Sequence, residues 1–111
     1  MTHSGERRES LYDTHDDDTV YPQGVFVVAL MDVTNHGQVS GYVNRLVLKV
    51  KDSDGREFDM AELDAMWAAE TEYGRGNALE RIQPGFTAEL VFVFDVLPTS
   101  EGLHLISTDP W

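Results

Sequence analysis

Two carboxylates two residues apart, followed by a glycine, give Asp52-Ser53-Asp54-Gly55 the look of the start of a calcium loop, in which aspartate oxygens alternate along a tight turn. The rest of such a loop, a further Asp or Asn pair around the glycine and a terminal Glu on a following helix, is missing in register. Between extended segments the same letters form a hairpin signal, because Asp-Gly supplies the turn backbone at little steric cost. Asp52 and Asp54 are therefore read as turn residues, with weak divalent-cation binding as the alternative. The acidic run Asp16-Asp17-Asp18 beside His15 also offers hard oxygen ligands, but in a polar arm that imposes no coordination geometry.

Catalysis finds little to work with. The histidines are scattered at His3, His15, His36 and His104, and His36 and His104 read as turn and surface residues. No nucleophile sits with a base, no carboxylate pair or His and carboxylate cluster has a working spacing, and no Gly-rich loop offers to hold a phosphate. The absence of cysteine removes disulfides, thiolate nucleophiles and Cys-based zinc sites. An enzyme reading reduces to a hydrolase whose Asp and His meet only through folding, so the expectation is a non-catalytic chain without a cofactor.

Twenty acidic residues against eight basic ones set the net charge at −12. Nucleic acid and anionic lipid are bound through clustered Lys and Arg, and the basic groupings Arg7-Arg8 and Lys49 to Lys51 are too small to reverse that balance. No apolar run approaches the roughly 20 residues that cross a bilayer, and the first residues lack the apolar core of a signal peptide. Direct membrane insertion is not expected of this chain. A chain of 111 residues suits one domain with one core.

The residues best suited to meet a partner lie where the hydrophobic period changes. Met60, Leu63, Met66 and Trp67 recur at three to four residues among Ala61, Ala65, Ala68 and Ala69, which predicts a helix over about 60–73. Asp59 is placed to cap its start, with Glu62 three residues on, and Gly74 to end it. Its polar side is acidic: between Asp54 and Glu72 seven carboxylates face Arg56 alone. The apolar side either covers the core or presents Met66, Trp67 and Tyr73 to a partner.

What positions this helix is a set of strands. Gly24 to Asn35 is read as the central one, with Val25, Val27, Ala29, Met31 and Val33 directed to the core. Phe26, Val28 and Leu30 on its other face then need cover from the helix or from another chain. Asn35-His36-Gly37 supplies a turn. In Val43 to Asp52, Leu46, Leu48 and Val50 face inward and Arg45, Lys49 and Lys51 outward, with Val47 an apolar exception, as in a half-buried antiparallel strand. Asn77 to Ile82 is a short strand, and Gln83-Pro84-Gly85 a turn into a long one. There Phe86, Ala88, Leu90, Phe92, Phe94 and Val96 form the core face, opposite Thr87, Glu89, Val91, Val93 and Asp95. Leu103 to Ser107 closes the set, with Leu103 and Leu105 inward and His104 outward. Met1 to Gln23 reads as an acidic, flexible arm unless Leu11, Tyr12, Val20 and Tyr21 dock, 24–108 as the domain and 109–111 as a tail ending in Trp111.

Short strands, one helical insertion and no alternating strand and helix rhythm predict an all-β fold, an antiparallel β-sandwich. The order of motifs resembles the immunoglobulin-like family of bacterial cell-surface domains related to the mycobacterial immunoprotective extracellular antigen. The elements that carry the resemblance are Gly24 to Asn35, Leu46 to Phe58, Met60 to Gly76, Pro84 to Val96 and Leu103 to Leu105, about four fifths of the chain. The resemblance implies an extracellular or cell-surface place, often behind a lipoprotein-like N-terminal anchor, and binding or scaffolding of a protein or envelope component. The family has an extra strand before the Gly-x-Phe strand, for which Arg8 to Val20 is too polar. The sandwich is thus expected to be completed by another chain, as in a homodimer, or by residues upstream.

Overall fold

The computed structural model describes residues 2–13, 17–42, 48–76 and 81–107. Its elements in chain order are β1 (Thr2–Arg8), β2 (Leu11–Asp13), β3 (Asp18–Val20), β4 (Val25–Thr34), β5 (Gly41–Tyr42), β6 (Leu48–Lys51), β7 (Glu57–Phe58), α1 (Leu63–Tyr73), β8 (Arg81–Ile82), β9 (Thr87–Val96) and β10 (His104–Ser107). Among the described residues the chain is mostly β, every strand pair is antiparallel, and one helix interrupts the strands. Two three-stranded sheets are ordered β1-β4-β9 and β10-β6-β7, and the short pairs β2-β3 and β5-β8 stand apart from them as two-stranded sheets.

The long strand pair β4-β9 is the centre, running in unbroken register from Val25 opposite Val96 to Thr34 opposite Thr87. Directly opposed residues share a face, so Phe26 and Val28 stand with Val93 and Asp95, and with Arg8 and Glu6 of β1. On this face Arg8 bonds to Glu72 and Tyr73, which places α1 over it. Val27, Ala29 and Met31 stand on the other face with Phe94, Phe92 and Leu90, where Arg7 donates to the Ser100 carbonyl beside the second sheet.

Cover on both faces explains a burial pattern that simple alternation does not predict. Leu90 to Phe94 are consecutive and fully buried, as in a strand packed on two sides. Along β4 the buried set passes from Phe26 and Val28 to Ala29, Met31 and Val33 with no break in pairing. Val91 and Val93, expected opposite the core face, are therefore as deep as Phe92. Phe86, expected inside, is 67% exposed because it precedes β9 at the Pro84-Gly85 turn.

The polar first residues do not form a loose arm. Thr2–Arg8 pairs along β4 from Asp32 to Phe26 and supplies from this chain the strand that had been expected from another chain or from upstream. Leu11, with no exposed surface, and Val20 fix the β2-β3 hairpin to the core, whereas Tyr21 is exposed. The helix starts later than its period suggested. Met60 and Ala61 run extended along the free edge of β9, with Ala61 N–H bonded to the Val93 carbonyl at 2.8 Å, so Glu62 and not Asp59 is the N-cap residue, without a side-chain cap. Gly74 ends the helix in the left-handed conformation, its N–H bonded to the Glu70 carbonyl at 2.8 Å.

Turn chemistry lies where the letters placed it. Asn35 Oδ1 accepts from Gly37 N–H at 2.8 Å, and Asp52 to Gly55 joins β6 to β7. Leu48 and Val50 are buried while Lys49 and Lys51 are half-buried. The expectations for His15, Asp16, Val43 to Val47, Asn77 to Glu80 and Trp111 lie outside the described residues.

Candidate functional site

The helix divides its side chains sharply. Ala65, Met66, Ala68 and Ala69 are buried, and small alanines let α1 lie close to β9 and to the β2-β3 hairpin. Met66 is 3% exposed and its Sδ accepts from Val93 N–H at 3.3 Å. It is core, not a partner-facing residue, because the buried face of the helix runs through it. Trp67, one residue on, turns outward and is 49% exposed, with Leu63 one turn earlier at 42%. The cover over Phe26 and Val28 thus comes from the alanine and Met66 face rather than from the indole.

Tyr73 anchors the C-terminal end of α1. Its hydroxyl donates to Glu6 and accepts from Arg8 Nη1 at 2.8 Å, while the Arg8 guanidinium lies 5.8 Å from the Tyr73 ring centre and pairs with Glu72. Burial, with the bond to Glu6 added, pushes the Tyr73 phenol above its ordinary range against the opposing effect of Arg8. These bonds tie β1 to α1, so Tyr73 is held in a tether.

At its N-terminal end α1 borders a cleft of about 660 Å³. Phe26, Phe58, Met60, Tyr21 and Leu97 give it apolar walls; among the described residues Glu62, Asp64 and Asp95 are its charged lining, and no Lys or Arg lines it. Asp95 fixes the rim, its two oxygens accepting from Gln23 N–H at 2.8 Å and Gly24 N–H at 2.9 Å. Gly24 is needed there for close approach: a Cβ on it would sit 2.0 Å from the Val96 carbonyl oxygen. Asp64 Oδ1 accepts from Ala65 N–H at 2.8 Å. A second cleft, beside Arg7 and Arg8, shares Tyr21, Gly24 and Pro98 with the first.

Asp52 lies elsewhere and is engaged internally. Its side chain is 1% exposed and accepts from Asp54 N–H at 3.0 Å, Arg56 N–H at 2.9 Å, Arg56 Nη1 at 3.2 Å and Ser100 Oγ at 2.9 Å. Burial pushes this carboxyl up, but the Arg56 N–H, the Ser100 hydroxyl, the Arg56 guanidinium and the Asp54 N–H together hold it below the ordinary range. Asp54 is exposed and pairs with Arg56 at 2.9 Å. Asp52 uses both oxygens to join the β6-β7 hairpin to the loop before β10. Among the described residues no three His, Cys, Asp or Glu side chains converge as a metal site, and no helix is long and apolar enough to cross a membrane. His36 and His104 are exposed and stand apart.

Of Met66, Trp67 and Tyr73, the structure therefore leaves Trp67 turned to solvent, buries Met66 and ties Tyr73 to β1. The cleft escaped sequence reasoning because its residues come from three separate stretches, Val20 to Phe26, Phe58 to Ala65 and Asp95 to Pro98. Comparison with family models, with curated proteins and with solved structures gives no match to this chain.

Proposed function

We propose that this chain is a non-catalytic interaction module of immunoglobulin-like build, acting at the cell envelope or outside the cell, that binds a protein or envelope component through the outer face of α1. The observation that carries this reading is the half-exposed Trp67, one turn from the exposed Leu63 on a helix whose opposite face is anchored in the core. A large aromatic held on a rigid element loses little conformational freedom on binding, and Trp is the residue most enriched at the energetic centres of interfaces. Asp64 and Glu70, three residues before and after it on the helix, favour a basic partner and disfavour nucleic acid. The immunoglobulin-like assignment and the location rest on the order of sequence motifs; the two antiparallel three-stranded sheets support the first of these alone.

The test is a photo-crosslinking residue at position 67, with the same residue at His104 on a distant exposed strand as control. A discrete adduct from position 67, absent from position 104 and lost when Leu63 is replaced by Ala, is the expected result. Equal labelling at both positions would overturn the reading.

A further inference from the structure

We propose that the cleft at the N-terminal end of α1 binds an extended, cationic peptide segment of the partner protein, seating a Lys or Arg side chain between Tyr21 and the carboxylates of Glu62 and Asp64. This deepens the reading above and rests on it: the same partner would cover Trp67 and enter the cleft one turn away.

Size and charge agree on the occupant. At about 660 Å³ the cleft has the volume of a ligand site and admits several side chains of an extended segment. Among the described residues its charged lining is wholly negative, and although the helix N-terminus contributes partial positive charge, it is equivalent to only about half a unit. Nucleic acid and phospholipid headgroups are disfavoured by the same sign. A single hard cation fits poorly, because Glu62, Asp64 and Asp95 do not converge as a metal site. Separated carboxylates suit separated positive charges along a chain.

The apolar walls fix the rest. Lys and Arg lay their methylene stems along apolar surface and keep the charged end at a polar rim. Phe58, Met60 and Leu97 provide the surface, and Tyr21, 73% exposed, provides an aromatic face for the cation. The carboxylates divide the work. Asp95 already accepts two backbone N–H groups and holds the rim in place. Asp64 has one oxygen engaged with Ala65 N–H, and Glu62 makes no cap bond to the helix. These last two are the groups placed to meet the ligand.

The experiment titrates the full chain with two end-capped peptides, Ala-Arg-Leu-Lys-Ala and Ala-Glu-Leu-Glu-Ala, and follows amide chemical shifts. The basic peptide is expected to move Tyr21, Phe58, Glu62 and Leu97, and the acidic one to move none of them. The E62Q/D64N variant should bind the basic peptide about tenfold more weakly, and E62K/D64K should reverse the preference. Equal affinity in E62Q/D64N, or shifts spread evenly over the acidic surface, would overturn the cleft assignment. Failure here is separable from failure of the interaction-module reading: a discrete crosslink at position 67 with no peptide effect leaves that reading standing and removes the cleft alone. Loss of both removes the shared premise.

Discussion

Ser100 Oγ donates to Asp52 Oδ2 at 2.9 Å across 48 residues of chain, and this bond, with those from Arg56, makes a buried carboxylate the junction of two loops. The carboxyl is held below its ordinary range, so its contribution to stability requires the ionised form. That contribution is fully present above the unfolded pKa of about 3.9 and is lost as pH falls through the lower folded value. Asp52→Asn, which does not titrate, is therefore expected to be less stable than the natural chain at neutral pH. The gap in urea midpoint should narrow as the pH drops below about 4. A gap independent of pH would mean that the charge of Asp52 contributes nothing.

Removing the donor tests the same junction from the other side. Ser100→Ala leaves a buried carboxylate with one bond fewer and is expected to cost about 1–3 kcal/mol in chemical denaturation at neutral pH. Its effect and that of Asp52→Asn should be less than additive, because they break the same contact.

Met66 and Trp67 are adjacent, and their substitutions should part widely. Met66→Ala opens a cavity against Val93 and is expected to cost about 2–5 kcal/mol. Trp67→Ala trades a half-exposed ring for a better helix former and should cost less than about 1 kcal/mol, while weakening partner binding. Thermal melts of the two variants decide it, and a large loss from Trp67→Ala would make the indole a core residue.

Gly24 faces the Val96 carbonyl with no room for a methyl group. Gly24→Ala must push the end of β4 away from β9 at a cost of about 1–3 kcal/mol, and it should disturb the bonds from Asp95 to Gln23 and Gly24 N–H. Amide shifts at Gln23, Asp95 and Val96 are the measurement, and shifts confined to the substituted residue would show that the rim yields freely.

How far the fold was legible depended on how local its cause was. The Asp52 to Gly55 hairpin, the Asn35 turn and the Gly74 helix end are set by residues within a few positions of one another, and each lies where its letters placed it. The start of α1 was misread because Met60 and Ala61, good helix formers, are claimed by the free edge of β9. The burial of Val91 and Val93 was invisible to alternation, since period two marks one face and cannot tell whether the second is covered as well. For the site, Trp67 stood out by type, but the separation of Met66 from it follows from which helix face meets Val93. The cleft has no sequence signature at all.

Thr2–Arg8 is the deepest case, a strand made by its partner. No apolar alternation marks these residues; they are ordered by pairing with β4 and by Arg7 and Arg8, which reach Ser100 on one face and Glu72 and Tyr73 on the other. Such a strand protects the ten-residue edge of β4, which would otherwise present unpaired backbone to a second copy. Deleting residues 1–8 is therefore expected to raise the average mass in light scattering in a concentration-dependent way. The double variant Arg8→Met with Tyr73→Phe cuts the tether to α1 and leaves the backbone pairing. It should speed hydrogen exchange of the β1 amides without raising the mass. If the truncated chain keeps the mass of the full one, the edge of β4 is guarded by something other than β1, and the pairing serves only to hold the arginines in place.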